Sequence, residues 1–194
     1  MSPAATMSTD DARRSVLRAA DELFYANGIS GVAMSDVRDA SGVSMRRLYS
    51  MYPSKSELVA AWLNDRDDMW MTWFMTTIQR HVAAGADAAM ATFDAIAEWV
   101  AAPGYRGCAF INSLAETNEM NDTHRTIIAV HKRDLVEHLA QLATRDHPHA
   151  PSWFPAALAV VLDGVIVQCT VFASTDPLDA ARSAIHQLLE TIPT

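Results

Sequence analysis

The sequence predicts an all-α protein, in which a small head of three short helices arranged as a helix-turn-helix precedes a larger helical body. Three observations predict it. Apolar residues recur at the spacing of a helical face over almost all of the 194 residues,. The breaks between these stretches fall on Gly, Pro and Asn, and no alternating apolar and polar run is flanked by hairpin dipeptides, so strands have no foothold. Half of the residues are apolar, which excludes a disordered tail and allows a substantial core at this length.

The elements follow in order. MSPAATMSTDDARRS places acids close to its arginines and has no apolar run, unlike a signal sequence,; residues 1–9 are expected to form a loose arm. Val16, Leu17, Ala20, Leu23 and Phe24 line one face of a first helix over about 10–26, and Asn27-Gly28 supplies a left-handed stop,. A second helix runs from Met34 to Ala40 and ends at Gly42. Ser44 caps a third, through Tyr49 to about Met51, and Pro53 closes it because the residue before proline is pushed out of helical geometry,. Ser54 and Glu57 form a capping box for a long fourth helix, Lys55 to about Ala83,. Its Leu58, Trp62, Met69, Trp70, Trp73, Phe74 and Ile78 give it more than one narrow apolar stripe. Further helices are expected over 87–101, 108–118, 123–145, 154–173 and 178–192, with breaks at Pro103-Gly104, at 118–122, at 147–151 and at Asp176-Pro177. The expected division is therefore an arm (1–9), a head (10–54) and a body (55–194).

The run from Ala156 to Ala173 is the most apolar, but Asp163, Gly164 and Gln168 sit near its middle. A charge there is costly in lipid, so the run reads as a core helix and no membrane partner is expected. Two cysteines far apart, Cys108 and Cys169, suggest neither a disulfide scaffold nor a zinc cluster, and point to a reducing cytoplasm,.

The net charge of −8 is unevenly placed. Residues 1–60 carry seven basic and seven acidic side chains, so the whole excess lies in 61–194. An acidic body is repelled by phosphate; if nucleic acid is bound, the neutral head must bind it.

Within the head, Val37, Ala40, Gly42, Val43 and Leu48 have the spacing of a helix-turn-helix, with Ala40 small at the helix crossing and Gly42 making the turn,. The exposed face of the third helix then carries Ser44, Met45, Arg46, Arg47 and Tyr49. Arginine pairs bidentately with guanine or clamps phosphate, and serine and tyrosine hydroxyls reach phosphate oxygens. Lys55 follows where free N–H groups of the fourth helix also favour an anion,. A bare Arg-Arg pair is usually solvated charge, but this pair lies between a glycine turn and the stop Tyr49-x-x-Tyr52-Pro53-Ser54-Lys55.

From Val16 to about Leu58 the chain resembles the tetracycline-repressor (TetR) family of bacterial transcription regulators. The fragments are Ala20-Asp21-Glu22-Leu23-Phe24-Tyr25-Ala26-Asn27-Gly28, Gly31-x2-Met34-x2-Val37, Ala40-x-Gly42-Val43-Ser44, Leu48-Tyr49-x2-Tyr52 and Pro53-Ser54-Lys55. The resemblance implies contact of Ser35, Ser44, Met45, Arg46, Arg47, Tyr49, Tyr52 and Lys55 with a palindromic double-stranded DNA operator. Ala33 departs from the Thr or Ser usual there, so a hydroxyl on phosphate is either missing at this point or supplied by Ser35. Met45 and Met51 leave base preference open. Also implied are a homodimer through the last two helices, a small-molecule effector bound in the C-terminal domain, and repression relieved by that effector. Trp73, Phe93, Phe110, Leu114, His131 and Cys169 are the candidate pocket residues, each with core packing as its alternative; Trp70 and Trp99 belong to the same aromatic set.

Two rival sensors remain. His124, His131 and His138 recur every seven residues, about 10.5 Å apart along a helix,; neighbouring pairs cannot share an ion, so no metal site is assigned, although His131, Asp134 and His138 together would suit one. Cys108 or Cys169 would serve a thiol sensor, but apolar surroundings raise thiol pKa values. No nucleophile elbow, phosphate loop, dinucleotide fingerprint or His-Glu-x-x-His occurs, so neither an enzyme nor a cofactor is expected,.

Overall fold

The computed structural model describes residues 7–116 and 120–192. These contain helices α1 (Thr9–Asn27), α2 (Met34–Ser41), α3 (Met45–Met51), α4 (Lys55–Ala83), α5 (Ala88–Ala101), α6 (Ala109–Ala115), α7 (Asp122–Asp146), α8 (Phe154–Phe172) and α9 (Asp176–Glu190), and no strand. The all-α expectation holds, with ends shifted by a residue or two except at α6, which stops at Ala115. The break expected at 118–122 and most of the N-terminal arm fall partly outside the described residues.

The chain packs as two compact units, one of residues 1–66 and 112–127, the other of 67–111 and 128–194. The division between the compact units falls inside α4, between Arg66 and Asp67. The physical reason is Asp21 on α1: it accepts the Trp62 indole N–H at 2.8 Å and the Arg66 guanidinium at 2.9 Å, tying the first turns of α4 to the head. Arg66 is 8% exposed and lies 4.2 Å over the Tyr25 ring, so its charge is both paired and covered.

Local chemistry sets the first unit. Ser8 caps α1 by accepting the Asp11 N–H. α2 begins at Ala33, which has no capping oxygen; the Asp36 carboxylate accepts the Ala33 N–H at 2.7 Å and supplies half of a capping box instead,. Ser35 is only half-buried on that turn. Gly42 is left-handed (φ 70°, ψ 9°) with nothing within 4 Å of where a Cβ would stand, so its requirement is conformational and not steric,. Ala40 is exposed and does not mark the close approach expected of it. The buried small residue beside it is Ser41, 6% exposed, whose carbonyl accepts the hydroxyl of Ser15 on α1 at 2.8 Å. Val16, Phe24, Val37, Val43, Leu48, Leu58 and Trp62 fill the core beneath.

Glu116, Asn121 and His124 make polar contacts to the rest of this unit. Glu116 accepts the backbone N–H groups of Ile29 (2.8 Å) and Ser30 (2.6 Å) in the α1–α2 turn. His124, fully buried, donates from Nε2 to the Ser56 carbonyl at 2.8 Å, and its Nδ1 accepts the Asn121 N–H.

In the second unit α8 packs on α9 and on α5. Asp87 caps α5 by accepting the N–H groups of Ala89 and Met90. α8 has two apolar faces. Leu158, Leu162, Val165, Ile166 and Cys169 are buried, while Trp153, Val160, Val167, Val171 and Phe172 are exposed, Val160 by 71% and Val171 by 70%. On α9, Leu178, Ala181 and Ile185 are buried within the unit, while Leu188 and Leu189 are half-buried. By length and composition α8 could cross a membrane. Its Asp163, however, is held by Lys132 at 2.5 Å and eight of its residues are buried inside the unit, the pattern of a core helix,.

Candidate nucleic-acid interface

α3 presents the candidate surface. The Ser44 hydroxyl accepts the Arg47 N–H at 3.3 Å, fixing the first turn immediately after the Gly42 turn,. Leu48 is fully buried and sets the rotation of the helix, which leaves Ser44, Arg46 and Tyr49 exposed, Tyr49 by 46%. Met45 and Arg47 are half-buried.

The two arginines have different surroundings. Arg46 is exposed. Arg47 turns back, and its Nη2 donates to the carbonyls of Met7 and Ser8 at 2.7 Å each. One charged side chain of α3 thereby secures the start of α1, about 40 residues earlier in the chain.

Tyr52 departs from the expectation of an exposed phosphate contact. It is 4% exposed, burial pushes its phenol up, and Arg13 lies 5.9 Å over its ring. Tyr52 is the C-cap of α3, and its extended backbone (φ −136°, ψ 90°) takes its side chain off the helical face that Tyr49 occupies. Lys55, half-buried at the start of α4, contributes positive potential to Glu116. Burial pushes the Glu116 carboxyl up, but the N–H groups of Ser30 and Ile29, with Lys55, outweigh it and leave it below the ordinary glutamate range.

In the second unit a cavity of about 510 Å³ is lined by Val100, Tyr105, Cys169, Thr170 and Ser174 among others, within the size range of small-molecule sites,. Of the six expected pocket residues only Cys169 borders it. Phe93 is fully buried and Trp73 half-buried. Leu114 belongs to the first unit. Phe110 lies flat on His131, with centroids 3.7 Å apart. Tyr105 and Thr170 carry no signal in the sequence that marks them for this wall; the Tyr105 hydroxyl donates to the Ile166 carbonyl at 2.9 Å.

His131 is 2% exposed and donates from Nδ1 to Asp67 at 2.6 Å. Burial lowers its pKa, outweighing the Asp67 hydrogen bond that raises it. The Trp70 indole N–H is buried without an acceptor, a cost of about 1–3 kcal/mol,. The three evenly spaced histidines do separate jobs, with His138 donating to the Asp134 carbonyl of its own helix. Among the described residues no group of three or more His, Cys, Asp or Glu could hold a metal ion.

Residues 16–62 match the family model described as bacterial regulatory proteins, tetR family. No curated protein matches the chain. Solved structures of similar fold include a TetR-family transcriptional regulator from Streptomyces coelicolor (TM-score 0.79, 21% identity, 95% of this chain and 91% of that one). NemR of E. coli in its reduced form is another (TM-score 0.78, 18% identity, 90% and 95%). A third is a TetR transcriptional regulator from Chloroflexus aurantiacus (TM-score 0.77, 19% identity, 94% and 96%).

Proposed function

We propose that this chain, whose residues 16–62 match the tetR family model and whose fold is shared with regulators of that family, represses transcription until a small molecule releases it from DNA. The observation that carries the reading is α3 itself: capped by Ser44, set in rotation by Leu48, and exposing Arg46 and Tyr49 from a head with no net charge on a chain of net charge −8. Arg46 is assigned to base edges or phosphate, and Tyr49, Ser44 and Lys55 to phosphate. Arg47 acts first as a brace for α1.

Two copies would bury the exposed valine row of α8 against each other. A twofold dimer then offers two reading helices about 34–36 Å apart, matching half-sites one turn apart on a palindrome. An effector bound in the second unit favours one of two head arrangements by binding it more tightly, with couplings of about 1–3 kcal/mol. Such a protein works in the cytoplasm.

The test is a mobility shift on the DNA upstream of its own gene, with the wild type and Arg46→Ala. The wild type should bind with a steep salt dependence and the variant weakly. Equal affinity and equal sequence preference in both would remove Arg46 from the interface. A thiol-responsive variant of the mechanism has one observation in its favour: Lys132 Nζ stands 3.9 Å from Cys108 Sγ. It requires that Cys108→Ser abolish the response of DNA binding to a thiol oxidant.

A further inference from the structure

The cavity of the second unit is walled by two helix ends. Val100 and Ala102 stand at the end of α5 with Tyr105 in the loop after it, and Cys169, Thr170 and Ser174 lie at and just past the end of α8. The last carbonyls of a helix have no partner within it. At α8 the chain turns off through left-handed Ala173 (φ 48°), and among the described residues no backbone N–H of 173–175 returns to those carbonyls. Neither helix carries a basic residue in its last turn, and no Lys, Arg or His lines the cavity; Arg106, next to Tyr105 in the chain, lies outside its wall. The hydroxyls of the wall add to this bias. Tyr105 and Thr170 both donate to the Ile166 carbonyl, at 2.9 and 2.8 Å, and Ser174 Oγ accepts the Asp176 N–H, so the wall has lone pairs to spare and few protons,. The Cys169 thiol is pushed up by burial and by the negative charge of Asp176, whose field therefore reaches the wall.

We propose that this cavity binds a small organic cation, a primary ammonium group on a short apolar stem. The inference rests on the reading of this unit as effector-binding and names the class of effector. The sign of the charge follows from the two helix ends, each of which presents partial negative charge to a ligand. The cavity also lies in the part of the chain, 61–194, that carries the whole net charge of −8,. An ammonium brings three N–H donors and no acceptor, which suits a wall rich in acceptors. A carboxylate there would lose its hydration and meet carbonyls and lone pairs with no cation in return. Val100 and Ala102 supply apolar surface for the stem, and a cavity of about 510 Å³ takes a molecule of that size,.

The experiment is calorimetric titration of the full chain at neutral pH with three probes of similar shape: phenethylamine, 2-phenylethanol and phenylacetate. The wild type should bind the amine about threefold to thirtyfold tighter than the alcohol, the factor two helix ends contribute together, with phenylacetate weakest; the preference should shrink as salt is raised. Ala102, exposed in the wall, provides the variants. Ala102→Lys puts a tethered ammonium into the same space and should invert the order, so that phenylacetate binds best. Ala102→Met adds similar bulk without charge and should keep the amine ahead of the alcohol. Equal binding of amine and alcohol by the wild type, tightest binding of phenylacetate by the wild type, no binding at all, or an order unchanged in Ala102→Lys would each overturn the proposal. A mobility shift in the same solutions separates the two readings. Intact DNA binding beside a flat titration overturns the cation site alone. Absence of DNA binding beside the expected titration overturns the regulator reading alone.

Discussion

Replacing Glu116 by Gln tests how residues far along the chain hold the head in shape. The wild-type carboxylate accepts two backbone N–H groups, from Ile29 at 2.8 Å and Ser30 at 2.6 Å. Glutamine keeps one acceptor and turns an NH2 towards the other N–H, so one charge-assisted bond is lost and the survivor becomes neutral. Each such bond is worth about 1.5–3 kcal/mol when sheltered, but Glu116 is half-exposed and Ser30 exposed,. The expected loss is therefore about 1–2 kcal/mol in the local opening of the turn, a factor of about 5–30. Amide hydrogen exchange at Ile29 and Ser30 reads this directly, with the second unit as internal control. The pH dependence has a definite sign. The folded carboxyl lies below its ordinary value, so its contribution is complete above the ordinary glutamate range and is lost as pH falls through the folded value,. Wild type and Glu116→Gln should differ at pH 7 and converge in acid. Unchanged protection of both amides at pH 7, or a difference that persists undiminished in acid, would refute the reasoning.

Other predictions are more direct. Arg47→Ala should lower thermal stability, by about 1 kcal/mol, because the Met7 and Ser8 carbonyls lose their donor, whereas Arg46→Ala should leave stability within about 0.5 kcal/mol; calorimetric melting compares them,. Asp21→Ala leaves Arg66 and the Trp62 indole unpaired beneath the surface and should cost about 3 kcal/mol in urea unfolding; a change below about 1 kcal/mol would count against this hub,. Val160→Glu places a charge on the exposed row of α8 and should convert a dimer of twice 21.2 kDa into monomer by sedimentation, and an unaltered dimer would move the interface elsewhere.

The parts of the fold legible in sequence are those whose causes lie within four residues. Ser44 as a cap and the Ser54 N-terminus of α4 are local pairings between a side chain and nearby backbone, the Gly42 turn is a local backbone conformation, and each is present. Arg47 reaching Met7, Asp21 holding Arg66 and Glu116 holding Ile29 join residues 40, 45 and 87 positions apart, and nothing in the intervening chain announces them. Ala40 and Ser41 differ by one position, and small size alone does not say which one points inward. The pocket is hardest to read for a related reason. Aromatic residues fill cores and line cavities alike: Trp70 and Phe93 are both buried, and the ring in the cavity wall is that of Tyr105.

The grip of Arg47 bears on how such a head can be rewritten. In a helix of seven residues, Leu48 and Arg47 are committed to architecture and Ser44 to the cap before it, which leaves Arg46, Tyr49 and Ser50 as its exposed positions. A shift to a new target, by drift among relatives or by laboratory selection, would then proceed through a very short alphabet. A transplanted α3 would keep its posture only if the first residues of α1 travelled with it.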